Sequence, residues 1–173
     1  RARLLPCMGM LLPDILHRLV PELDQERMKP ILEEVLSEEN AYVAAHGGVL
    51  YPEVEQTLAA LSARCPLFLV SNCQDGYIEA FFQAHGLGRY FTDYENPGRT
   101  GLPKADNIAL VAERNGLRRP LYIGDTQGDY DAASKAGVPF LHAAYGFGRI
   151  DRPVPSVATF GDLPDAIRRL TPP

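Results

Sequence analysis

The segment LYIGDTQGDYDAASKAG, residues 121–137, combines the two patterns that decide the fold. It begins with a short apolar run, which is typical of a buried strand, and continues as an alanine-rich segment that ends at Gly137 and is typical of a helix. Three aspartates, Asp125, Asp129 and Asp131, lie at the junction. A strand that leads directly into a helix indicates one βα unit of an α/β fold, with negative charge at the carboxyl end of the strand.

The same alternation of apolar runs and amphipathic segments continues on both sides of this segment, from Val49 onward. We predict strands at LFLV, RYFTD, LYIG and VPFLHA, residues 67–70, 89–93, 121–124 and 138–143. We predict helices over residues 53–63, 75–85, 104–115 and 129–136, and a last short helix in the tail FGDLPDAIRRL. Short apolar strands between helices favour a Rossmann-like, doubly wound parallel sheet that helices cover on both faces.

Residues 1–48 have a different character and contain no convincing strand. Their apolar residues recur at three-to-four spacing with glutamates between them, as in helices that pack by one face. The helical pattern is interrupted at Pro13, Pro21 and Pro30 and ends at Gly47-Gly48. We therefore predict two or three helices joined by short turns. The expected organisation is a helical region over 1–48 and an α/β region over 49–173.

Composition excludes several classes of protein. With 173 residues, 46% hydrophobic content, a net charge of −5 and no long run of Lys or Arg, the chain fits one domain with a small appendage and no nucleic-acid partner. Cys7, Cys65 and Cys73 show no metal-ligand spacing, and such an odd set of cysteines favours a reducing, cytoplasmic location over a disulfide scaffold. No apolar stretch has the length of a membrane span, so no membrane partner is expected.

Polar side chains follow the predicted strands at the edge where an open parallel sheet binds ligands. Ser71 and Asn72 come after LFLV, and Lys104 starts the helix that follows the loop YENPGRTGLPK. Asp125 comes after LYIG, with Asp129 four residues later. We therefore expect a hydroxyl, an amide, an ammonium group and two carboxylates to gather on one rim.

Each of these residues also has a structural interpretation. Ser71 or Asn72 is a suitable helix cap, Lys104 is compatible with a solvated first turn, and the two aspartates suit a turn and an N-cap. Complementary groups at three strand ends instead favour phosphoryl transfer. Carboxylates hold Mg²⁺ through oxygen, while hydroxyl and ammonium groups bind phosphoryl oxygens. No nucleophile is evident on this rim.

Three motifs resemble the haloacid dehalogenase-like (HAD) hydrolase superfamily, and most of all its phosphoglycolate phosphatase-like branch with a helical cap. They are SNCQ at 71–74, LPK at 102–104 and GDTQGD at 124–129. The resemblance implies that Ser71 and Asn72 bind the phosphoryl group and that Lys104 steadies it. It also implies that Asp125 and Asp129 form a magnesium site, in which Asp125 ligates Mg²⁺ and Asp129 holds a metal-bound water or the lysine. Asp131 matches no motif position.

The sequence departs from the family pattern at its start, where a strand ending in DxDGT is expected to supply the nucleophile. Asp14 is the early acidic candidate, but it follows a proline in a helical pattern and has no partner aspartate, so we reject it. In the family this strand lies in the middle of the sheet. We expect that the natural N-terminal segment lies outside the 173 residues, that residues 1–48 are part of a cap, and that this chain is inactive as it stands.

The resemblance implies Mg²⁺-dependent hydrolysis of a small phosphorylated metabolite through an aspartyl-phosphate intermediate, in a monomer or homodimer. The alternative is a non-catalytic domain that binds a phosphorylated ligand or a partner. The sequence is also compatible with a phosphomutase, whereas a 2-haloacid dehalogenase is disfavoured because the GDTQGD carboxylates suit a metal. Gly146 and Gly148 suggest a phosphate loop only weakly, since no third glycine and helix follow, and we predict a turn there.

Overall fold

The computed structural model describes residues 5–170, in which helices alternate with short parallel strands. The α-helices are α1 (Leu12–Leu19), α2 (Gln25–His46), α3 (Val54–Ser62), α4 (Tyr77–His85), α5 (Pro97–Thr100), α6 (Lys104–Arg114), α7 (Gln127–Lys135) and α8 (Leu163–Leu170). The strands are β1 (Leu67–Val70), β2 (Phe91–Glu95), β3 (Tyr122–Gly124), β4 (Phe140–Ala143) and β5 (Ser156–Val157). Residues 1–4 and 171–173 of the two predicted regions lie outside the described part of the chain.

The strands and helices predicted after Val49 are present, and most of their ends differ from the predictions by at most two residues. The helix in the tail begins three residues later, at Leu163, because Phe160–Asp162 forms a 3₁₀ turn. The RYFTD strand begins later, at Phe91, because Leu87–Tyr90 forms a 3₁₀ turn. The helix predicted from Asp129 begins at Gln127, because Thr126 caps it. The α/β fold class with parallel strands is confirmed.

Helices cover both faces of the strands, as a doubly wound sheet requires. On one face α6 and α7 pack over Val70 and Tyr122 through a cluster built on Ala105, Ile108, Ala132 and Val138. On the other face α3 and α8 pack over Leu67 and Ile123 through a cluster built on Leu61, Leu141, Val157, Leu163 and Ala166. Successive residues of β3, Tyr122 and Ile123, therefore point to opposite layers, as expected of a strand.

The strands form two separate parallel sheets in the described residues. One sheet contains β1 and β2, and the other has the order β3-β4-β5. All residues of β1 and β3 are only partly buried, whereas three of the four residues of the internal strand β4 are buried. The partial burial follows from the position of β1 and β3, because each borders the gap between the sheets.

A cleft of about 430 Å³ lies along this gap. Its walls are mostly apolar and include Leu67, Leu69 and Ile123, and it reaches Asp125 at the carboxyl end of β3. A hydrogen bond crosses the gap, from the Tyr122 hydroxyl to the Val70 carbonyl oxygen at 2.9 Å. This bond comes from a side chain, and β1 and β3 belong to different sheets, so the two strands are not paired with each other.

Two α-helices, α1 and α2, account for most of the described part of the predicted helical region. Asp24 caps α2 by accepting a hydrogen bond from the Arg27 N–H, and the helix ends at Gly47. The expected break at Pro30 is wrong, because Pro30 lies inside α2. The helix continues through it because its far half packs against α4, where the Asn40 amide also donates to the Asp75 carbonyl oxygen at 3.0 Å. Within residues 5–170, none of the helices is long and apolar enough to cross a membrane.

Candidate functional site

The predicted site residues lie at the carboxyl ends of β1 and β3, on either side of the mouth of the cleft. Ser71 and Asn72 follow β1, and Asp125 follows β3. Lys104 is the first residue of α6, and Asp129 lies in the first turn of α7. The N-termini of α6 and α7 therefore border the rim, and such helix ends favour anions because their N–H groups are unpaired and carry partial positive charge.

A capping box positions Asp129. Thr126 Oγ1 accepts a hydrogen bond from the Asp129 N–H, and Asp129 Oδ2 accepts from the Thr126 N–H at 3.0 Å and the Thr126 hydroxyl at 2.9 Å. The Asp125 N–H also donates to Oδ2, at 3.1 Å. Gly124 permits this close packing, because a Cβ there would lie 2.5 Å from the Asp129 Cβ. The turn from β3 into α7 is thus built around the Asp129 carboxylate.

Lys104 and Asp129 form a buried ion pair that joins α6 to α7. Lys104 Nζ lies 2.6 Å from Asp129 Oδ1, and the two side chains are only 11% and 8% exposed. Burial alone would raise the pKa of Asp129, but the Lys104 ammonium and the hydrogen bonds from Thr126 outweigh it and hold that pKa below its usual range. The Asp129 carboxylate is therefore charged at neutral pH, and the Lys104 side chain keeps further N–H donors for another ligand.

Asp125 has one carboxylate oxygen bound to the backbone and one without a hydrogen-bond partner among the described residues. Its Oδ2 accepts from the Phe147 N–H at 2.7 Å. Within residues 5–170, no three His, Cys, Asp or Glu side chains are grouped so that they could hold a metal ion. Mg²⁺ commonly uses only one or two protein carboxylates and keeps water ligands, so Asp125 fits Mg²⁺ as one oxygen ligand.

Ser71 and Asn72 face the same rim from β1. The Asn72 amide donates to the Gly9 carbonyl oxygen at 2.9 Å, so the loop before α1 reaches the site. Burial raises the pKa of the neighbouring Cys73 thiol to about 11, and a hydrogen bond from Ser71 and the charge of Lys104 oppose this shift. Ser71 and Lys104 come from different elements, and both act on the pKa of the same thiol.

The structure decides between several of the alternatives. Helix α4 begins after Gly76 without a side-chain cap, so Ser71 and Asn72 are not its caps. Lys104 is not a solvated first-turn residue, and the N-cap of α7 is Thr126 and not Asp129.

Two other aspartates lie on exposed helix surfaces. Asp131 is exposed and accepts a hydrogen bond from Gln127 on the same helix, and Asp14 is exposed on α1. The roles assigned to Ser71, Asn72, Lys104, Asp125 and Asp129 remain predictions.

Comparison with known proteins identifies the family. A family model described as haloacid dehalogenase-like hydrolase matches residues 1–143, and the chain therefore belongs to this family of hydrolases. The phosphoglycolate phosphatase of Escherichia coli (strain K12) is 32% identical over 135 residues, which cover 73% of this chain and 52% of the relative. That of Salmonella typhimurium is 30% identical over the same length and shares of the two chains. The chain spans about half the length of the curated relatives it matches.

Solved structures agree on the fold. A haloacid dehalogenase-like hydrolase from Streptococcus pneumoniae superimposes with a TM-score of 0.77 at 18% identity, covering 94% of this chain and 79% of that one. A predicted phosphoglycolate phosphatase from Haemophilus somnus gives a TM-score of 0.77 at 21% identity, with 93% and 79% covered. The L-2-haloacid dehalogenase from Xanthobacter autotrophicus gives 0.60 at 22% identity, with 70% and 62% covered. At these identities the similarity shows the fold alone.

Proposed function

We propose that these residues form the phosphate- and metal-binding part of a Mg²⁺-dependent phosphomonoester hydrolase. The observation that carries the proposal is the buried Lys104–Asp129 ion pair, which lies on one rim with Ser71, Asn72 and Asp125. An ammonium group with spare donors and two helix N-termini suit the charge of a phosphoryl group. The relatives at 30–32% identity make 2-phosphoglycolate the first substrate to test among small phosphomonoesters.

The proposed roles follow from the chemistry of each side chain. The Ser71 hydroxyl and the Asn72 amide bind phosphoryl oxygens, and Lys104 neutralises charge on the transferring group. Asp125 provides an oxygen ligand for Mg²⁺, and Asp129 fixes Lys104 in place. When bound, Mg²⁺ supplies charge neutralisation and orientation for the phosphoryl oxygens.

The proposed nucleophile is an aspartate on a strand that occupies the cleft between β1 and β3, outside the 173 residues. Its carboxylate attacks phosphorus, the P–O bond to the ester oxygen of the substrate breaks, and that oxygen leaves as the alcohol with a proton from solvent water. Water then attacks the phosphorus of the aspartyl phosphate, which regenerates the carboxylate and releases phosphate. The partial burial of β1 and β3 and the apolar walls of the cleft support such a strand. A carboxylate at its end would enter the rim beside Lys104 and Asp125.

The coding sequence upstream of Arg1 is the cheapest test, because the proposal expects an in-frame strand that ends in DxD. The extended protein should release phosphate from 2-phosphoglycolate or from an aryl phosphate, and EDTA should abolish the release. Replacing Asp125 with Asn should lower kcat/KM about a hundredfold or more, whereas Asp131→Asn on the exposed side of α7 should leave it within about twofold. Absence of turnover across a panel of phosphomonoesters would contradict the proposal.

A second candidate is a non-catalytic domain that binds a phosphorylated ligand. It is favoured because neither Asp129 nor Asp14 is placed to act as a nucleophile in the described part of the chain. Asp129 is paired with Lys104, and Asp14 is exposed on α1. Binding of 2-phosphoglycolate to the 173-residue chain, without turnover in any extended form, would support this candidate instead.

A further inference from the structure

The segment that follows β4, residues Tyr145–Gly148, lies directly against Asp125, and we call it the Asp125 strap. The chain turns after β4 with a hydrogen bond from the Gly146 N–H to the Ala143 carbonyl oxygen at 3.0 Å. The next N–H, that of Phe147, donates to Asp125 Oδ2 at 2.7 Å. This short distance is typical of a hydrogen bond to a charged acceptor.

The two glycines of the strap are required by close packing. A Cβ at Gly146 would overlap the Asp125 side chain, and a Cβ at Gly148 would lie 2.5 Å from the Asp125 carbonyl oxygen and 2.8 Å from the Thr126 Cα. Neither glycine has a positive φ, so backbone conformation does not explain them. The GxG pattern is thus explained by the approach of one backbone segment to an aspartate of the site.

The strap is fixed at both ends. On one side the Tyr145 ring contacts the rings of Tyr51 and Phe160. On the other side the Asp151 N–H donates to the side-chain oxygen of Gln127, the first residue of α7, at 2.9 Å. The Phe147 N–H is therefore held in position by contacts outside the site, and the Phe147 side chain itself is 61% exposed.

We propose that the Asp125 strap is a positioning element that orients the Asp125 carboxylate for a divalent cation. The Phe147 N–H engages Oδ2 and leaves Oδ1 as the oxygen that binds the cation. Hydrogen bonds behind a metal-ligating carboxylate fix its orientation, and their loss typically weakens metal binding about 10–100-fold. This inference rests on the proposed metal-binding role of Asp125.

The hydrogen bond itself can be tested without a metal. In the 173-residue chain the Phe147 amide should be protected from hydrogen exchange measured by NMR, and Asp125→Ala should accelerate its exchange about tenfold or more. Equal exchange rates in the two proteins would overturn the inference, since the strap would then not be bound to the Asp125 carboxylate.

The positioning role can be tested by Mn²⁺ titration of the 173-residue chain, followed by paramagnetic broadening, which detects weak as well as tight binding. Gly146→Ala should weaken Mn²⁺ binding about 10–100-fold. Gly128→Ala is the matched control, because a Cβ there lies 3.7 Å from its nearest neighbour, Thr126 Oγ1, and should leave the affinity unchanged. If Gly146→Ala fails to fold, Phe147→Pro is the second variant, because the proline ring replaces the Phe147 N–H donor with a carbon that cannot hydrogen-bond to Asp125 Oδ2.

The outcomes separate the two proposals. Weaker Mn²⁺ binding in Gly146→Ala or Phe147→Pro, with an unchanged Gly128→Ala protein, supports the positioning role. Equal Mn²⁺ affinity in all four proteins overturns the positioning role and leaves the metal site of the proposed function intact. Absence of Mn²⁺ broadening near Asp125 in the unsubstituted chain overturns both.

Discussion

At the scale of single residues, the Lys104–Asp129 pair should matter for stability as well as for the site. Lys104→Met should lower the free energy of unfolding by about 3 kcal/mol, because it leaves the Asp129 carboxylate buried without its counter-ion. Urea unfolding at pH 7 measures this loss.

Lys135→Met is the matched control for this substitution. Lys135 also pairs with an aspartate, Asp106, but at 3.6 Å and with side chains that are 66% and 47% exposed. An exposed pair of this kind contributes less than about 1 kcal/mol. Similar losses in the two variants would mean that the Lys104 pair is not buried in solution.

A second group of charged residues lies at the end of β2 and makes stability depend on pH. Arg114 donates to Asp93 at 2.6 Å and to Glu95 at 2.7 Å, and Glu95 also accepts from Arg99 at 2.7 Å. Burial would raise the pKa of both carboxyls, but the arginine hydrogen bonds outweigh it and lower both pKa values. A lowered pKa in the folded state stabilises the protein above the unfolded pKa of about 4, and this contribution is lost as the pH falls further.

Arg114→Gln should therefore lower the free energy of unfolding by about 2 kcal/mol at pH 7. Its difference in stability from the unsubstituted protein should shrink below about pH 4. Urea midpoints at pH 7 and pH 3 give the comparison. Arg118→Gln, at an exposed position shortly after α6, should change stability by less than about 0.5 kcal/mol at either pH. A pH-independent loss in the Arg114 variant would show that packing, and not charge, is its contribution.

Residue by residue, the sequence located the rim because the carboxyl ends of parallel strands meet at one edge of a sheet. Ser71, Asn72, Lys104, Asp125 and Asp129 all lie there. The resemblance gave a metal-bound water or the lysine as the partner of Asp129, and the sequence could not decide between them. Lys104 is 25 residues away from Asp129, and their contact depends on how α6 packs on α7. It also missed the Gly9 carbonyl and the Phe147 N–H, because any residue type supplies a backbone group and leaves no side-chain signal.

At the scale of elements, α2 contradicts the local sequence signal. Pro30 lacks the N–H that would bond to the Glu26 carbonyl four residues earlier, and proline inside a helix costs up to about 3 kcal/mol relative to alanine. Pro30→Ala at this exposed position should therefore stabilise the protein by about 1–3 kcal/mol, as measured by urea unfolding. No gain in stability would indicate that α2 begins after Pro30 in solution.

Elements of ordinary length were predictable from the sequence, and the shortest ones were not. The strand β5 contains only Ser156 and Val157, follows Pro153 and Pro155, and has no periodicity to recognise. It forms because β4 offers an edge to which it pairs, through the His142 N–H and the Pro155 carbonyl oxygen at 2.8 Å. Tertiary pairing, which a local pattern does not report, accounts for this strand.

At the scale of the whole molecule, the strands of residues 5–170 are divided into two sheets, and within that range specific backbone groups have no strand partner. The Ser71 N–H bonds to β2 and the Tyr122 N–H bonds toward β4. Because backbone groups of successive strand residues point to opposite edges, the N–H groups of Val70 and Ile123 point into the cleft. The cleft is thus bordered by two parallel edges, which an additional parallel strand fits.

Hydrogen exchange followed by NMR tests this arrangement. In the 173-residue chain the Val70 and Ile123 amides should exchange at least about tenfold faster than those of Ser71 and Tyr122, since they lack a strand partner. In a polypeptide that carries the proposed nucleophile strand, the same two amides should become as slow as Ser71 and Tyr122, while the latter change little. If Val70 and Ile123 are already slow in the 173-residue chain, β1 and β3 pair with each other in solution, and the cleft cannot receive a strand.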